Sequence, residues 1–504
     1  MIKLIDNWLN RTTMYRLVAY YLASLIAVAA LLSFARVLPY DPFALLFTTG
    51  YLIAVCWITN TLFAKAFSVP TNVESVYITA LILALIISPL SGYPDLLFIG
   101  WMGVLAIASK FIIAIRGKHL FNPAAFGVAV VALTVNQTAS WWIGNLPMLP
   151  FVLAGGILLV RKLRHPGMVI SFLTVALLTT LIFSARDGGN ILTSFAQILV
   201  ASPLLFFSFV ILTEPLTMPP TNILQVIYAA IVGFLFSPQV HFGSLYITPE
   251  LAMLMGNVFS YLVSPKQKLV LQLKAKVHLG ADLWDFIFVP NQKLSYAPGQ
   301  YMEWTLAHPD PRGNRRFFTL ASSPTENSLR LGVRFPPDPS SFKEAMLGMN
   351  EDTLITAAQL AGDFTLPHNR KRQIVLIAGG IGITPYRSMI KYLLDKNESH
   401  PITLFYAART AADFVYRDVF EQARQKLGIQ TVYTLTDTNN LPPAWQGKAG
   451  RISAAMIKSE VPDYSHALFY LSGPNGMVED FERILLNMGV NPRHIKKDYF
   501  PGFA

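Results

Sequence analysis

Gln373–Tyr386 reads QIVLIAGGIGITPY, and the fold of the C-terminal half turns on it. Ile374–Ala378 is a short continuous apolar run, the pattern of a strand buried in a parallel sheet. Thr384-Pro385 follows as a helix start, because proline fits the first helical turn. The glycines between them, Gly379, Gly380 and Gly382, allow positive φ and let backbone approach a bound group. N–H groups at such a helix start favour an anion such as a pyrophosphate. A glycine-rich turn by itself is more often a tight connection than a nucleotide site, so its meaning rests on the rest of the chain.

On its C-terminal side the pattern alternates strand and helix. Arg387–Asp395, Ile402–Ala407, Asp413–Lys426, Gln430–Thr434, Leu468–Leu471 and Val478–Asn487 read as a parallel α/β sheet. Ser472-Gly473-Pro474-Asn475-Gly476-Met477 is a second strand-to-helix turn on the same sheet edge. Two such turns make the crevice in which open sheets bind nucleotides. On the N-terminal side, Leu269–Phe288 alternates apolar and polar residues, and short strands with turn signals run to Asp363, as in a small antiparallel barrel. Within it Arg315–Ser322 reads RRFFTLAS. Arg316 suits a pyrophosphate, Phe318 a flavin ring or ribityl chain, and Thr319 the hydrogen-bonding edge of an isoalloxazine. Gly362-Asp363 and the helix start at Ser340-Ser341 add backbone N–H groups suited to phosphate, which makes Ser341 a further flavin-binding candidate.

In order, Pro298-Gly299-Gln300-Tyr301, Arg316–Thr319, Gly362-Asp363-Phe364, Gly379–Pro385, Tyr406–Arg409, Ser472–Met477 and the terminal Asp498-Tyr499-Phe500 resemble the ferredoxin–NADP reductase family. The resemblance covers all of Leu269–Ala504. It implies FAD on the barrel, NADH or NADPH on the α/β part, and hydride transfer from nicotinamide to flavin. It implies that Arg316, Phe318 and Thr319 hold FAD, that Gly380, Gly382, Thr384, Pro385, Gly473, Pro474 and Met477 shape the nicotinamide nucleotide site, and that Arg409 lies near the adenosine ribose. Thr319, Ser472 and Phe500 are the residues it places at the reacting rings. The family often has cysteine where this chain has Ser472. A 2′-phosphate would need cations near Arg409 and Arg417, and the sequence leaves NADH and NADPH both open.

The first half is of another kind. Hydrophobic residues make up 53% of the 504 and charged residues 14%, and nearly all the long apolar runs lie before Pro265. Roughly ten segments can span a bilayer: Met14–Leu38, Phe43–Phe63, Val76–Pro89, Leu96–Ile115, Pro123–Val135, Leu146–Val160, Gly167–Phe183, Ser194–Leu212, Leu224–Phe236 and Pro249–Val263. With a cytoplasmic N-terminus, the inside connections carry Arg11, Arg16, Lys65, Arg116, Lys118, Arg161, Lys162, Arg164, Lys266 and Lys268, and the outside ones little beyond Arg36 and Arg186. This asymmetry puts both ends in the cytoplasm. The net charge of +11 follows that topology, and no basic tract with interleaved aromatics points to nucleic acid. Cys56 is the one cysteine, which excludes cysteine-ligated iron–sulfur clusters, a four-thiolate zinc and any internal disulfide within this chain. The start through Arg16 leads into a segment too long for a signal peptide.

Pro-Thr-Asn occurs twice before apolar segments, at Pro70–Asn72 and Pro220–Asn222. Such a recurrence suggests an internal repeat with polar helix starts facing a shared site, although the same residues also serve as ordinary caps. Glu74 and Glu214 favour the site, since carboxyls close to a bilayer are costly. Thr71–Leu85, the FNPAAF of Phe121–Phe126, and Thr213–Asn222 followed by Gly243–Asn257 resemble the Rnf D / Nqr B family, the flavin-carrying membrane components of Rnf complexes and of the sodium-translocating NADH:quinone reductase. The resemblance covers most of residues 40–264 and implies a ten-span electron carrier with FMN or riboflavin. Thr71, Asn72, Glu74, Asn122, Glu214, Thr221 and Asn222 are the candidates to hold that flavin or an ion. The family's flavinylated-threonine motif is missing from the short stretch Asn136–Asn145, so a non-covalent flavin is expected.

The expected protein is multi-domain: a polytopic α-helical membrane domain with an internal repeat (1–268), an antiparallel FAD-binding barrel (269–372) and an α/β NAD(P)-binding domain (373–504). Transmembrane haem is excluded, because His119, His165 and His241, the histidines of the membrane half, all sit at loop ends. The expected function is oxidation of NADH or NADPH at an inner membrane, with electrons passing to a membrane flavin and on to an extracytoplasmic flavoprotein or a quinone. The rival is an ion transporter or channel, redox-regulated or redox-driven, with a flavin reductase domain. No metal site is expected.

Overall fold

A computed structural model describes residues 12–67, 73–90, 92–115, 118–135, 137–163, 165–264, 268–280, 282–308 and 314–500. The chain divides into two compact units, Met1–Gln267 and Lys268–Ala504.

The first unit is helical: α1 (Met14–Phe34), α2 (Pro42–Phe67), α3 (Val73–Ile86), α4 (Tyr93–Ile112), α5 (Pro123–Val135), α6 (Leu149–Leu163), α7 (Pro166–Arg186), α8 (Ile191–Val200), α9 (Leu204–Phe206, continued by a π turn, Phe207–Ile211), α10 (Asn222–Leu235) and α11 (Pro249–Val263). Four of these, α1, α2, α4 and α7, are long and apolar enough to cross a membrane, and the pair α8–α9, bent by 56°, makes up to five. The remainder have 13 to 15 residues. That is about 20 Å of helix against about 30 Å of hydrocarbon, so the helices do not give ten full-length spans. Large apolar side chains stand exposed on the long helices, among them Leu31, Phe47, Trp101 and Ile182.

Two hairpins of the helical unit share one backbone pattern. The hairpin β1 (Ala114–Ile115) with β2 (Lys118–His119) has the same register as β3 (His241–Phe242) with β4 (Leu245–Tyr246). The next bond outward is also the same: Leu120 N–H donates to Ile113 O at 3.2 Å, and Ile247 N–H to Val240 O at 3.1 Å. Each hairpin joins a helix to a proline-led helix that packs back on it, α4 to α5 and α10 to α11. Asn122 Oδ1 caps α5 by accepting from Ala125 N–H, and Thr248 Oγ1 caps α11 by accepting from Leu251 N–H. The equivalent helix starts are therefore α5 and α11. Pro-Thr-Asn marks other positions: Thr221 and Asn222 open α10, while Thr71 and Asn72 lie outside the described residues. Gly127 of α5 lies so close to α4 that a Cβ would stand 2.4 Å from Met102 O, so the crossing requires glycine.

The second unit begins with an antiparallel sheet of β5 (Leu269–Gly280), β6 (Leu283–Pro290), β7 (Tyr301–Thr305), β8 (Arg315–Thr319), β9 (Leu329–Arg334) and β10 (Leu354–Ala361), with the short helix α12 (Ser341–Leu347) between β9 and β10. The order is β8-β7-β10-β5-β6-β9. Ala321 N–H, just past β8, donates to Arg330 O in β9 at 2.9 Å and closes the sheet into a barrel. Leu271, Phe286, Phe288, Met302 and Trp304 fill it.

The α/β part follows: β11 (Ile374–Gly379), α13 (Thr384–Lys396), β12 (Ile402–Ala408), α14 (Arg417–Leu427), β13 (Gln430–Leu435), β14 (Lys448–Ala449), α15 (Ala454–Glu460), β15 (Leu468–Pro474), α16 (Asn475–Asn487) and β16 (Ile495–Phe500). The strands stand in the order β14-β13-β12-β11-β15-β16, all parallel. Ile374, Leu376 and Ala378 of β11 pack with α13 and α14, and Val375 and Ile377 pack with α15 and α16. Burial on both faces is the physical cause of the unbroken apolar run. From β11 the chain winds out to β14 and resumes at β15 on the other side, so the strand order reverses between β11 and β15.

Candidate functional site

At that reversal the two glycine turns meet. Gly380 has φ +53°, a conformation suited to glycine, and a short 3₁₀ turn brings the chain to Thr384 and Pro385 at the start of α13. A Cβ on Gly382 would stand 2.3 Å from Ser472 O and 2.7 Å from Gly473 Cα. One on Gly379 would stand 2.2 Å from Met477 Sδ and 3.6 Å from Pro474 Cδ. The Thr384 hydroxyl donates to Ile381 O at 3.1 Å and closes the turn. Ser472 is fully buried, and its Oγ has no hydrogen-bond partner among the described residues. Bare glycine backbone at two facing turns lets a ligand approach closely. In these terms the residues fit a nicotinamide nucleotide.

Thr319 ends β8 from the barrel side, and its hydroxyl donates to Asp498 Oδ2 at 3.4 Å. Asp498 is the register partner of Ser472 in the parallel pair β15–β16. Burial pushes the Asp498 carboxyl up to about 7, against the pull of the Thr319 hydrogen bond. Asp498 was not singled out in the sequence, because the terminal Asp-Tyr-Phe reads as an aromatic motif. Only the pairing of β16 with β15 reveals the carboxyl. Phe500 closes β16, and its side chain lies outside the described residues.

Arg316 and Phe318 occupy the other face of β8. The Arg316 guanidinium stands 5.1 Å from the Phe342 ring centroid, and the Phe318 ring 6.0 Å from the same ring. Phe342 follows Ser341, the first residue of α12, so Arg316 and Phe318 meet α12 next to its start, apart from Thr319. A cation, an aromatic face and a helix start fit the phosphate and ribityl parts of FAD. Behind it, Gln300 Nε2 donates to Gly362 O and Lys496 Nζ donates to Asp363 O, each at 3.2 Å. Arg409 stands exposed just past β12, where Asp437 N–H donates to its carbonyl at 3.3 Å. The Arg417 guanidinium lies 5.4 Å from the Tyr433 ring centroid. Arg334, also missed in the sequence, donates from Nε to Asp282 Oδ2 at 2.8 Å and brings NH1 to 3.5 Å from where a Gly380 Cβ would be.

In the helical unit, Asn122 Nδ2 donates to Glu214 Oε2 at 2.9 Å, and the Thr217 hydroxyl donates to the same oxygen at 3.1 Å. His119 Nε2 stands 3.7 Å from Glu214 Oε1. Asn122 N–H donates to Asn257 Oδ1 at 2.8 Å, and Asn257 Nδ2 to the Tyr228 hydroxyl at 3.4 Å. Asn122 and Glu214 are thus brought together, joined by His119, Thr217, Tyr228 and Asn257, which the sequence did not signal. Thr221 and Asn222 stand at the start of α10. Glu74 pairs with Arg16 Nε at 3.2 Å.

Residues 376–483 match the oxidoreductase NAD-binding domain family. Among curated proteins, the glycine betaine monooxygenase reductase subunit of Chromohalobacter salexigens is 24% identical over 230 residues, 44% of this chain and 61% of the relative. A flavohemoprotein of a Burkholderia species is 27% identical over 229 residues, 45% of this chain and 57% of the relative. The chain thus spans somewhat over half the length of these relatives. The structure of the Amycolatopsis cytochrome P450 reductase GcoB is similar over 47% of this chain and 72% of that one, at 25% identity and a TM-score of 0.42. With the glycine turns, the Arg-x-Phe-Thr strand and the parallel sheet in place, the C-terminal half of the chain is a ferredoxin–NADP reductase-type FAD- and NAD-binding domain.

Proposed function

We propose that the protein oxidises NADH or NADPH on its C-terminal unit and delivers the electrons, through the helical unit, to an extracytoplasmic flavoprotein or a quinone. The observation that carries this reading is the meeting of Gly382 and Ser472, with Asp498 paired to Ser472 and bonded to Thr319. Arg316, Phe318, Thr319 and Ser341 would hold FAD, which when bound would supply a hydride acceptor that can release electrons singly. The chain's own residues bind and orient. The turns at Gly380–Pro385 and Gly473–Met477 offer backbone to the nucleotide, with Ser472 in β15 beside them. Thr319 holds Asp498, whose carboxyl is poised to hold or release a proton near neutral pH.

In the helical unit, Asn122, Glu214, Thr217 and Asn257 offer donors and acceptors suited to the polar edge of a non-covalent FMN or riboflavin. The unit is read as a multi-pass protein of the inner membrane with about ten crossings, some by short helices supported by neighbours. The positive-inside asymmetry supports a cytoplasmic reductase unit. A second reading, an ion transporter or channel with a flavin reductase domain, draws on Glu214, whose carboxylate among buried amides also suits a cation. The test is to purify the protein in detergent, titrate it with NADH and with NADPH, and identify every flavin released by acid. FAD together with FMN or riboflavin is expected. FAD alone would remove the membrane relay, and bound FAD that neither nucleotide reduces would remove the reading of the reductase unit.

A further inference from the structure

Barrel and α/β part are joined close to both halves of the candidate site by an ion pair outside it, between a buried arginine and a half-buried glutamate. Arg387, in the first turn of α13 and three residues past Thr384, is 2% exposed. Its NH1 donates to Glu326 Oε2 at 2.6 Å and its NH2 to Oε1 at 3.0 Å, a fork-to-fork pair. NH1 also donates to Ala321 O at 2.8 Å, two residues past Thr319. Ser388, the next residue of α13, donates from its hydroxyl to Ser322 O at 2.5 Å. Glu326 is itself fixed by Ser323 N–H at 2.7 Å. Arg330 faces Glu326 at 3.9 Å and pairs with the fully buried Asp285. Nearby, strand β9 rides on the nucleotide turn: a Cβ on Gly332 would stand 2.7 Å from Thr384 Cγ2 and 3.2 Å from Ile381 Cδ1.

Buried charge is expensive, and an apolar contact of equal volume would hold two lobes together as well. What the forked geometry adds is register. We propose that Arg387 and Glu326 are positioning residues that set the distance between the end of β8 and the start of α13, and so the gap across which the nicotinamide and the flavin react. The proposal rests on the hydride-transfer reading above. A shift of about 1 Å at a reacting pair costs on the order of a hundredfold in rate, so the clamp acts on the chemical step more than on binding.

The test uses the full chain in detergent with its flavin. Arg387→Met combined with Glu326→Gln leaves no unpaired buried charge, and Arg387→Lys keeps the charge without the fork. The double variant is expected to retain FAD and its reduction by dithionite, to bind NADH within about threefold of the parent, and to lose at least tenfold in the rate of FAD reduction by NADH together with the charge-transfer absorbance between the rings. Arg387→Lys should recover only part of the rate. In flavin-free protein, amide exchange should rise together in Ala321–Glu326 and Thr384–Ser388. A reduction rate within twofold of the parent in the double variant, with only the melting temperature lowered, would overturn the proposal. Failure of the parent itself to reduce its FAD with either nucleotide would instead strike the reading on which it rests.

Discussion

Asp498 is the carboxyl of the site that burial raises furthest into the neutral range. A carboxyl raised from 3.8 to about 7 on folding makes the native state hold a proton that the unfolded chain releases. Stability is then greatest below the unfolded value and falls as pH rises toward the folded one. Asp498→Asn is expected to flatten the stability–pH curve between about 4 and about 7, read by thermal melts of flavin-free protein. If Asp498 moves a proton during turnover, the same change slows nicotinamide oxidation on the order of tenfold or more and removes an inflection near 7 from its pH profile. An unchanged profile would reduce Asp498 to a structural partner of Thr319. Gly382 supplies a second residue-scale expectation. A methyl group 2.3 Å from Ser472 O must force the two turns apart, so Gly382→Ala should abolish reduction by NADH while FAD stays bound, at a cost of about 1–3 kcal/mol in stability. These two residues also show what the sequence disclosed. Gly382 was legible because a glycine in a strand-to-helix turn has a local backbone cause. Asp498 was not, because its neighbours Thr319 and Ser472 are 179 and 26 residues away and only the sheet register brings them together.

Strand β8 divides its labour by face. Arg316 and Phe318 meet α12 at Phe342, while Thr319 turns to β16. Arg316→Ala should therefore weaken FAD retention by about 2 kcal/mol, the worth of a charge-assisted hydrogen bond, without moving the pH profile, whereas Thr319→Val should move the profile. Flavin content after gel filtration and a pH series separate the two. In the helical unit, Glu214→Gln is expected to deplete the second flavin and leave FAD in place, measured by chromatography of acid-released flavins. Retention of both at parental stoichiometry would separate Glu214 from flavin binding. The helices themselves were legible as apolar runs, and β11 was read from its unbroken apolar run, which burial on both faces explains. The matching of the two hairpins was not legible in the sequence, because it lives in backbone register and helix caps, and Ala114–His119 and His241–Tyr246 share little side-chain identity.

At the scale of the molecule, the division into two units makes the proposed roles testable apart. Residues 268–504 carry the candidate FAD and nucleotide residues, and residues 1–267 carry the apolar helices. The reductase unit produced alone should reduce a soluble dye with NADH or NADPH, yet contain only FAD and show no quinone-dependent turnover. Quinone reduction by the isolated unit would make the helical unit an anchor. The paired hairpins give the helical unit two matching helix starts of unlike chemistry: α5 opens on Asn122, bonded to Glu214, while α11 opens beside Glu250, whose carboxylate accepts from Trp141 Nε1 at 2.7 Å. One backbone device thus holds two unlike polar ends.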